Sequence, residues 1–465
     1  MSSEPASRSG GMNSPSANRL DTAIEQGEIQ MEHTTYDFWN CIAVQKEIAP
    51  SVYGKLDLDF VPERFINPLH GGVGSDASSS LADEQTVEFY RQSALMGDPF
   101  ADELAAVMMD SLGIRKGRAL FDEALEKGID GVPDAPPAMI RFFQHLERIP
   151  DWLDMDLIEY RTAKSRLKIG CFMELLTRGH FAIVYEDDYA ALPMVITGRL
   201  TNDGAAKRMR DTSSLTRATA FPGSMLRGGV GFRLFAKVRL AHAMVRVNLL
   251  RSPKTWDIRK YGVPLSQTDS PGPVNLAVYP LAKRRLKKGK AASKLDKAEM
   301  MYWRYMGYLN GVHDHHCSSD FSEIVEKWEG RGATHRVNKM PARYIPVIQA
   351  NLDCYMRQTH TAWDRFIDFL DRKAAKAIYS KFVGKKAASE FGVTAKFTDE
   401  FALVAHAAIK FVEYATVELI GTIPGGRAFR ERYADRKLKM FLDSKDFDAV
   451  DTHTEKSEYK LKTAA

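Results

Sequence analysis

Cysteines are few in this 465-residue sequence, and little in it resembles a membrane-spanning segment. The four cysteines are widely spaced and form no Cys-x-x-Cys pair, so we expect no disulfide framework and a reducing compartment. The run from Phe401 to Ile423 comes nearest to a transmembrane stretch, but Lys410, Glu413 and Glu418 interrupt it. The polar segment from Met1 to Asn18 lacks the apolar core of a secretory signal. We therefore expect a cytoplasmic protein and leave a peripheral membrane contact open.

Several functional signatures are also missing. The Gly-x-Ser-x-Gly motif of serine hydrolases does not occur. The glycine-rich run from Pro222 to Gly231 lacks the preceding strand of a dinucleotide site. The formal net charge is only +5, and the basic run from Lys283 to Lys297, with eight Lys or Arg against one acid, contains no aromatic residue. We therefore expect no nucleic-acid partner and interpret this basic run as a solvated loop.

Helical spacing of apolar residues dominates the sequence, and alternation with a period of two is scarce. This pattern predicts an all-α fold with one large multi-helix domain and an irregular N-terminal arm. A long helix that begins near Leu157 is expected to end at Gly179. The predicted segments are a disordered tail (1–35), the arm (36–90), the helical domain (91–440) and a polar C-terminal tail (441–465).

The stretch from Phe232 to Leu250 is predicted to form a central helix with His242 on an apolar face. The residues of that face are Phe235, Val238, His242, Val245 and Leu249. Arg239 and Arg246 lie three residues before and four residues after the histidine, so both can project near it. This arrangement suits a porphyrin, because imidazole binds iron, apolar neighbours pack the macrocycle and arginines pair with propionates. The alternative is an ordinary core histidine, with the arginines extending to the surface.

The run Arg239-x-x-His242-Ala243-x-Val245-Arg246 resembles the signature of the latex-clearing-protein (rubber oxygenase) and MpaB-type oxygenase family. Further pieces resemble the family in the same order, over about 157–312: Thr197-Gly198-Arg199-Leu200, Trp256, Gly262-x-Pro264-x-x-Gln267 and Tyr302-Trp303-x-x-x-Gly307-x-Leu309-x-Gly311. The resemblance implies an all-α fold that holds haem b, with His242 as the proximal iron ligand.

The resemblance also implies a distal helix with an Arg-x-x-Lys-Thr element ahead of the histidine. Its best match is Arg208-Met-Arg-Asp211-Thr212, in which Asp211 occupies the lysine position. A carboxylate cannot replace lysine as a neutral amine donor, so the distal chemistry differs from the family pattern. Arg208, Asp211 and Thr212 are the implied catalytic residues. Glu174 and Glu186 are candidates, by position alone, for the family's catalytic glutamate.

The implied activity is that of a haem-dependent oxygenase, which uses dioxygen to oxidise or cleave C=C bonds in a small, hydrophobic, isoprenoid- or lipid-like substrate. A haem protein that binds or senses ligands without turnover is one alternative, motivated by Asp211. A helical scaffold without cofactor is another. His180 and His406 are fallback ligands. The sequence leaves the oligomeric state open.

The densest ligand-like run is His313-Asp314-His315-His316-Cys317. Adjacent residues rarely converge on one ion without distant partners, and no second cluster matches this one. The sequence therefore favours a polar loop at this position.

Overall fold

The computed structural model describes residues 40–65, 84–184, 188–196, 202–334, 344–355 and 361–439. Within these ranges the fold is all-α, with nineteen α-helices and no β-strand, as predicted. Both predicted tails lie outside the described residues. Among those residues, no helix combines the length and the apolar composition needed to span a membrane.

The helices, in chain order, are α1 (Cys41–Ile48), α2 (Pro50–Tyr53), α3 (Glu84–Ser93), α4 (Pro99–Val107), α5 (Ile114–Lys127), α6 (Pro137–Glu147), α7 (Met155–Val184), α8 (Asp188–Ile196), α9 (Asn202–Ala218), α10 (Val230–Leu250), α11 (Ile258–Tyr261), α12 (Gly272–Lys287), α13 (Lys294–Leu309), α14 (Phe321–Thr334), α15 (Ile345–Asp353), α16 (Ala362–Val383), α17 (Lys385–Glu390), α18 (Phe397–Ile420) and α19 (Gly426–Lys439). Short 3₁₀ turns occupy Glu63–Phe65, Ile129–Gly131 and Asp314–His316, and a π-helical segment, Met108–Leu112, follows α4.

Helix α10 is the predicted central helix, and it packs against α4, α9 and α13. Phe235, Ala236, Ala243 and Val247 are buried in the largest apolar cluster, which also takes in side chains of α4, α6 and α13. The burial of these apolar side chains stabilises α10, although its four valines have a lower helix propensity than alanine or leucine. The position of α10 fixes where His242 stands in the molecule.

Helix α7 continues through Gly179 for five further residues, so the predicted stop at Gly179 is wrong. A methyl group at Gly179 would lie 3.5 Å from the Phe382 ring of α16, at ordinary van der Waals distance. Packing against α16 therefore keeps the helix intact where the local preference of glycine would end it. The 30 residues of α7 give it a length of about 45 Å.

The N-terminal arm contains the short helices α1 and α2 and most of α3, rather than only irregular chain. Its Gln45 side chain donates a hydrogen bond to the carbonyl of Leu95 (2.7 Å) and accepts one from the amide of Gly97 (3.1 Å). These contacts join the arm to the segment that leads into α4. The domain boundaries predicted at 35, 90 and 440 stay predictions.

We expect Gly179→Ala to raise the free energy of unfolding by about 0.5–1 kcal/mol, because alanine favours the helix and its methyl group has room. Gly170→Ala, on the same helix, is the matched control. Its Cβ would stand only 3.0 Å from the Cβ of Lys437, so that variant should gain nothing. Urea unfolding compares the two. Equal stabilisation of both variants would contradict the packing described here.

Candidate functional site

His242 lies at the border between two faces of α10. At 100° per residue, Arg239 and Arg246 project about 40–60° to one side of it, and Val238 and Val245 a similar angle to the other. The arginine side is buried, whereas His242 and the two valines are half-buried. Val245 packs against the apolar cluster that contains Met209 of α9. The imidazole therefore has a polar, closed flank and an apolar, partly open one.

The closed flank contains a bidentate ion pair. Arg239 donates from Nε and Nη2 to the carboxylate of Asp98, at 2.6 and 2.8 Å, and both groups are buried. Burial alone would raise the pKa of Asp98, but the Arg239 guanidinium holds it below its ordinary value. The same guanidinium lies 3.2 Å from Nδ1 of His145. Burial and the Arg239 charge lower the pKa of His145 to about 3, so this imidazole is neutral.

A second pair lies about two turns further along α10. Arg246 donates to Asp102 and to the backbone carbonyls of Pro264 (3.0 Å) and Leu265 (2.9 Å). The hydroxyl of Tyr53 donates to the other Asp102 oxygen at 2.6 Å. Burial raises the pKa of Asp102 to about 6 despite the facing guanidinium.

Gln267 and Gly311, which belong to the motifs of the family resemblance, lie next to these two ion pairs. The Gln267 amide donates at 2.8 Å to the carbonyls of both Gly97 and Gly311. A side chain at Gly311, where φ is +80°, would collide with Asp98, and one at Gly97 would collide with Tyr53 and Asp102. The motif spacing therefore reflects the close approach of backbone to a buried ionic network.

Arg239 and Arg246 were predicted to pair with haem propionates, and the structure gives them other partners. Each guanidinium is buried and holds a carboxylate from α4 or from the residue just before it. Sequence reasoning missed both carboxylates because they lie more than 140 residues away in the chain. The sequence does contain a signal for these pairs. Asp98 and Asp102 lie one helical turn apart among apolar residues, a pattern that indicates buried carboxylates in need of cationic partners.

The predicted distal residues are on α9, which packs against both α7 and α10. Arg208, Asp211 and Thr212 are half-buried, and Asp211 lies 3.9 Å from the Lys207 ammonium. Burial and the Arg208 charge lower the pKa of His180, on α7, to about 4. The structure thus brings Arg208 near the fallback ligand His180, and it brings their helices into contact with the one that carries His242.

Glu174 and Glu186 were the positional candidates for a catalytic glutamate. Glu174 is buried between two cations, with Oε2 at 3.1 Å from the Lys410 ammonium and Oε1 at 3.8 Å from Arg217. This carboxylate links α7, α9 and α18 and is not placed as a solvent-accessible base. Glu186 lies outside the described residues, as does the Thr197–Leu200 element of the resemblance.

The histidine-rich run forms a 3₁₀ turn in which the His313 side chain caps the chain at His315. Nδ1 atoms of His313 and His315 are 3.2 Å apart, beside a cavity of about 130 Å³ that also borders His145 and Arg239. No group of three or more metal-ligating side chains occurs in the part of the chain that the structure describes. The other fallback ligand, His406, is buried on α18 with Nδ1 3.9 Å from Asp371.

Acid should destabilise this region. Burial lowers the pKa values of His145 (about 3), His313 (about 4) and His316 from an ordinary 6.5, so each takes up a proton only on unfolding below pH 6.5. Asp102, with a pKa of about 6, acts in the opposite sense, because the folded state holds its proton. His180, with its pKa of about 4, also gains a proton on unfolding. The net uptake near pH 5.5 is therefore about three protons, so the free energy of unfolding should fall by about 4 kcal/mol per pH unit.

Denaturant unfolding between pH 7 and pH 5 measures this slope. His145→Phe should remove about one proton from it, since four histidines and one aspartate produce the difference. A pH-independent midpoint over this range would contradict the neutral state assigned to these imidazoles.

Arg239→Met should lower the free energy of unfolding of the haem-free protein by about 3–5 kcal/mol, because it leaves the buried Asp98 carboxylate unpaired. The double variant Arg239→Met/Asp98→Leu should recover most of that loss. Arg259→Met is the control, since its pair with Asp57 is exposed and should contribute less than about 1 kcal/mol. If Arg239→Met lowers the free energy of unfolding by no more than the control does, the guanidinium is not held by Asp98 and is available to another partner.

Comparison with known proteins gives one informative match. The chain superimposes on a solved structure of latex clearing protein in its closed state with a TM-score of 0.51 and 16% sequence identity, covering 75% of this chain and 91% of that one. No family model matches the sequence, and no curated protein does. At this identity the match shows the fold, and this chain has the fold of latex clearing protein.

Proposed function

We propose that this protein binds haem b through His242 and acts as an oxygenase on a small hydrophobic, isoprenoid- or lipid-like substrate. One observation carries the proposal. A fold shared with latex clearing protein has, on its central helix, a half-buried histidine within a run that resembles the family signature. The backbone fold and the residue spacing thus support the same assignment.

The residues around His242 fit an axial iron ligand. The imidazole is half-buried, and Val238 and Val245 beside it give an apolar flank against which a flat macrocycle can pack. The arginines do not fit as propionate partners, since Arg239 and Arg246 are already bound to carboxylates. Propionates would need cations from another element. When bound, haem supplies an iron centre that activates dioxygen.

In this proposal the two arginines act as positioning residues. Their pairs with Asp98 and Asp102 fix the rotation of α10 about its axis and hence the direction in which His242 projects. Arg208 and Thr212, on the neighbouring α9, are hydrogen-bond donors that would orient the oxygen substrate. The apolar flank limits water and admits a hydrophobic substrate.

A haem protein without oxygenase turnover is the second candidate, and Asp211 favours it. A carboxylate at the lysine position lies 3.9 Å from the Lys207 ammonium, and an anion there changes the electrostatics at the distal side. Oxygen uptake with alkene substrates separates the two candidates. Consumption that depends on both haem and alkene supports the oxygenase, and haem binding without consumption supports ligand binding or sensing.

His242→Ala should abolish haem binding, because it removes the only nitrogen ligand that α10 offers on this face. Visible absorption after haem supplementation measures the loss of the Soret band. His180→Ala, with its half-buried imidazole on α7, is the matched control and should retain the band. Full occupancy in His242→Ala together with loss in His180→Ala would move the ligand to α7. Absence of a Soret band from the unmodified protein would leave only the helical scaffold.

A further inference from the structure

Helix α18 exposes large apolar side chains to solvent and buries several polar ones. Its solvent side carries six apolar residues that lie within about 100° of one another around the helix axis: Phe397, Phe401, Val404, Phe411, Val412 and Leu419, exposed by between 60% and 84%. Its buried side carries the polar residues Asp399, His406 and Lys410 beside the small apolar residues Ala402 and Val417. The 24 residues of α18 make this stripe about 36 Å long. A surface helix normally turns its apolar side towards the core and its polar side towards solvent. We therefore expect another apolar surface to cover this stripe.

The stripe belongs to a larger apolar surface. Helix α16 packs against α18 and exposes Trp363, Phe366 and Phe369 in its first turns. Ile423, between α18 and α19, and Phe429, in the first turn of α19, are also exposed. Twelve of the twenty exposed large hydrophobic side chains in the described part of the chain lie within residues 361–439, so this exposure is concentrated rather than scattered. Concentrated exposure of this kind marks an interaction surface.

A cationic edge borders the apolar stripe. A groove of about 900 Å³ lies among α16, α18 and α19, with Trp363 and Ile409 on its apolar side and Arg432, Arg436 and Lys439 on the other. In the residues that the structure covers, no acid forms an ion pair with these three cations. The acids of α19, Glu431 and Asp435, are instead bound by Arg166 of α7. Asp364, Glu413 and Asp435 also line the groove. Asp364 caps α16, Glu413 pairs with Lys437 and Asp435 pairs with Arg166, so the three cations of this edge lie next to hydrophobic side chains without an acidic partner of their own in the described part of the chain.

We propose that this surface, the docking face formed by α16, α18 and α19, binds the surface of an anionic phospholipid bilayer. The apolar stripe would lie at the boundary between headgroups and acyl chains, and the cations of α19 would contact the lipid phosphates. The charge argues for this occupant over a second copy of the chain, because a symmetric interface would bring two sets of the same unpaired cations together. The proposal does not depend on haem and goes beyond the proposed oxygenase activity.

Vesicle flotation of the full chain tests the proposal. Vesicles of phosphatidylcholine with 30% phosphatidylglycerol should float the protein, and pure phosphatidylcholine should do so at least about tenfold less well. Raising the salt concentration should weaken the binding to anionic vesicles. Failure of the unmodified protein to float with anionic vesicles would overturn the proposal.

Two sets of variants separate the contributions of the face. Phe401→Glu/Phe411→Glu should reduce the partition coefficient by at least about tenfold, because it removes two apolar side chains and adds two anions. Ile149→Glu, at a site 74% exposed between α6 and α7, is the control and should bind like the unmodified protein. Arg432→Glu/Arg436→Glu should abolish the preference for anionic vesicles. Far-ultraviolet circular dichroism confirms that each variant is folded, since all these side chains are exposed.

Analytical ultracentrifugation tests the rival occupant. If Phe401→Glu/Phe411→Glu converts a dimer to a monomer and vesicle binding is unchanged, the face is an interface between copies and the lipid proposal is wrong. A monomer that floats with anionic vesicles supports it. Since haem-free protein serves in every arm, these outcomes are distinguishable from failure of the haem proposal.

Discussion

Two buried arginine–aspartate pairs govern the architecture around α10. Charges this deep in a protein are tolerated only when their partners are fixed and their remaining hydrogen bonds are satisfied. Here Arg239–Asp98 and Arg246–Asp102 meet that condition, and the backbone carbonyls of Pro264 and Leu265 accept the remaining bonds of Arg246. The glycines at 97 and 311 leave the necessary space. The orientation of His242 depends on this network, whatever the imidazole binds.

The same network connects several residues of the run around His242 with residues far from it in the chain. The sequence around His242 contains few residues whose chemistry is specific to iron, and a single histidine on an apolar helix is common. What makes the pattern distinctive is the geometry of a buried ionic scaffold. Its arginines, glycines and glutamine must stand at fixed spacings because they contact one another. The spacing of these residues in the sequence therefore reflects how α10 is held in the fold.

Local patterns predicted the local features well. The all-α class and the position of α10 follow from the spacing of apolar residues, which is a property of neighbours in the chain. Features set by distant contacts were missed. Gly179 does not end α7 because α16 packs there, and the partners of Arg239 and Arg246 lie at the start of α4 and on α4 itself. The periodicity of α18 indicated a helix, but periodicity alone does not show which side of a helix faces the solvent.

The N-terminal arm contributes hydrogen bonds to this network from residues that lie far from α10 in the sequence. Tyr53 supplies a hydroxyl to Asp102, and Gln45 is bonded to the backbone at 95 and 97, whereas Arg246 and Gln267 come from about 200 residues later. Contacts of such long sequence separation form late, because a long loop must be closed before they are made. During synthesis, Asp98 and Asp102 therefore stay hydrated until Arg239 and Arg246 have been made, because their buried partners lie in that later part of the chain.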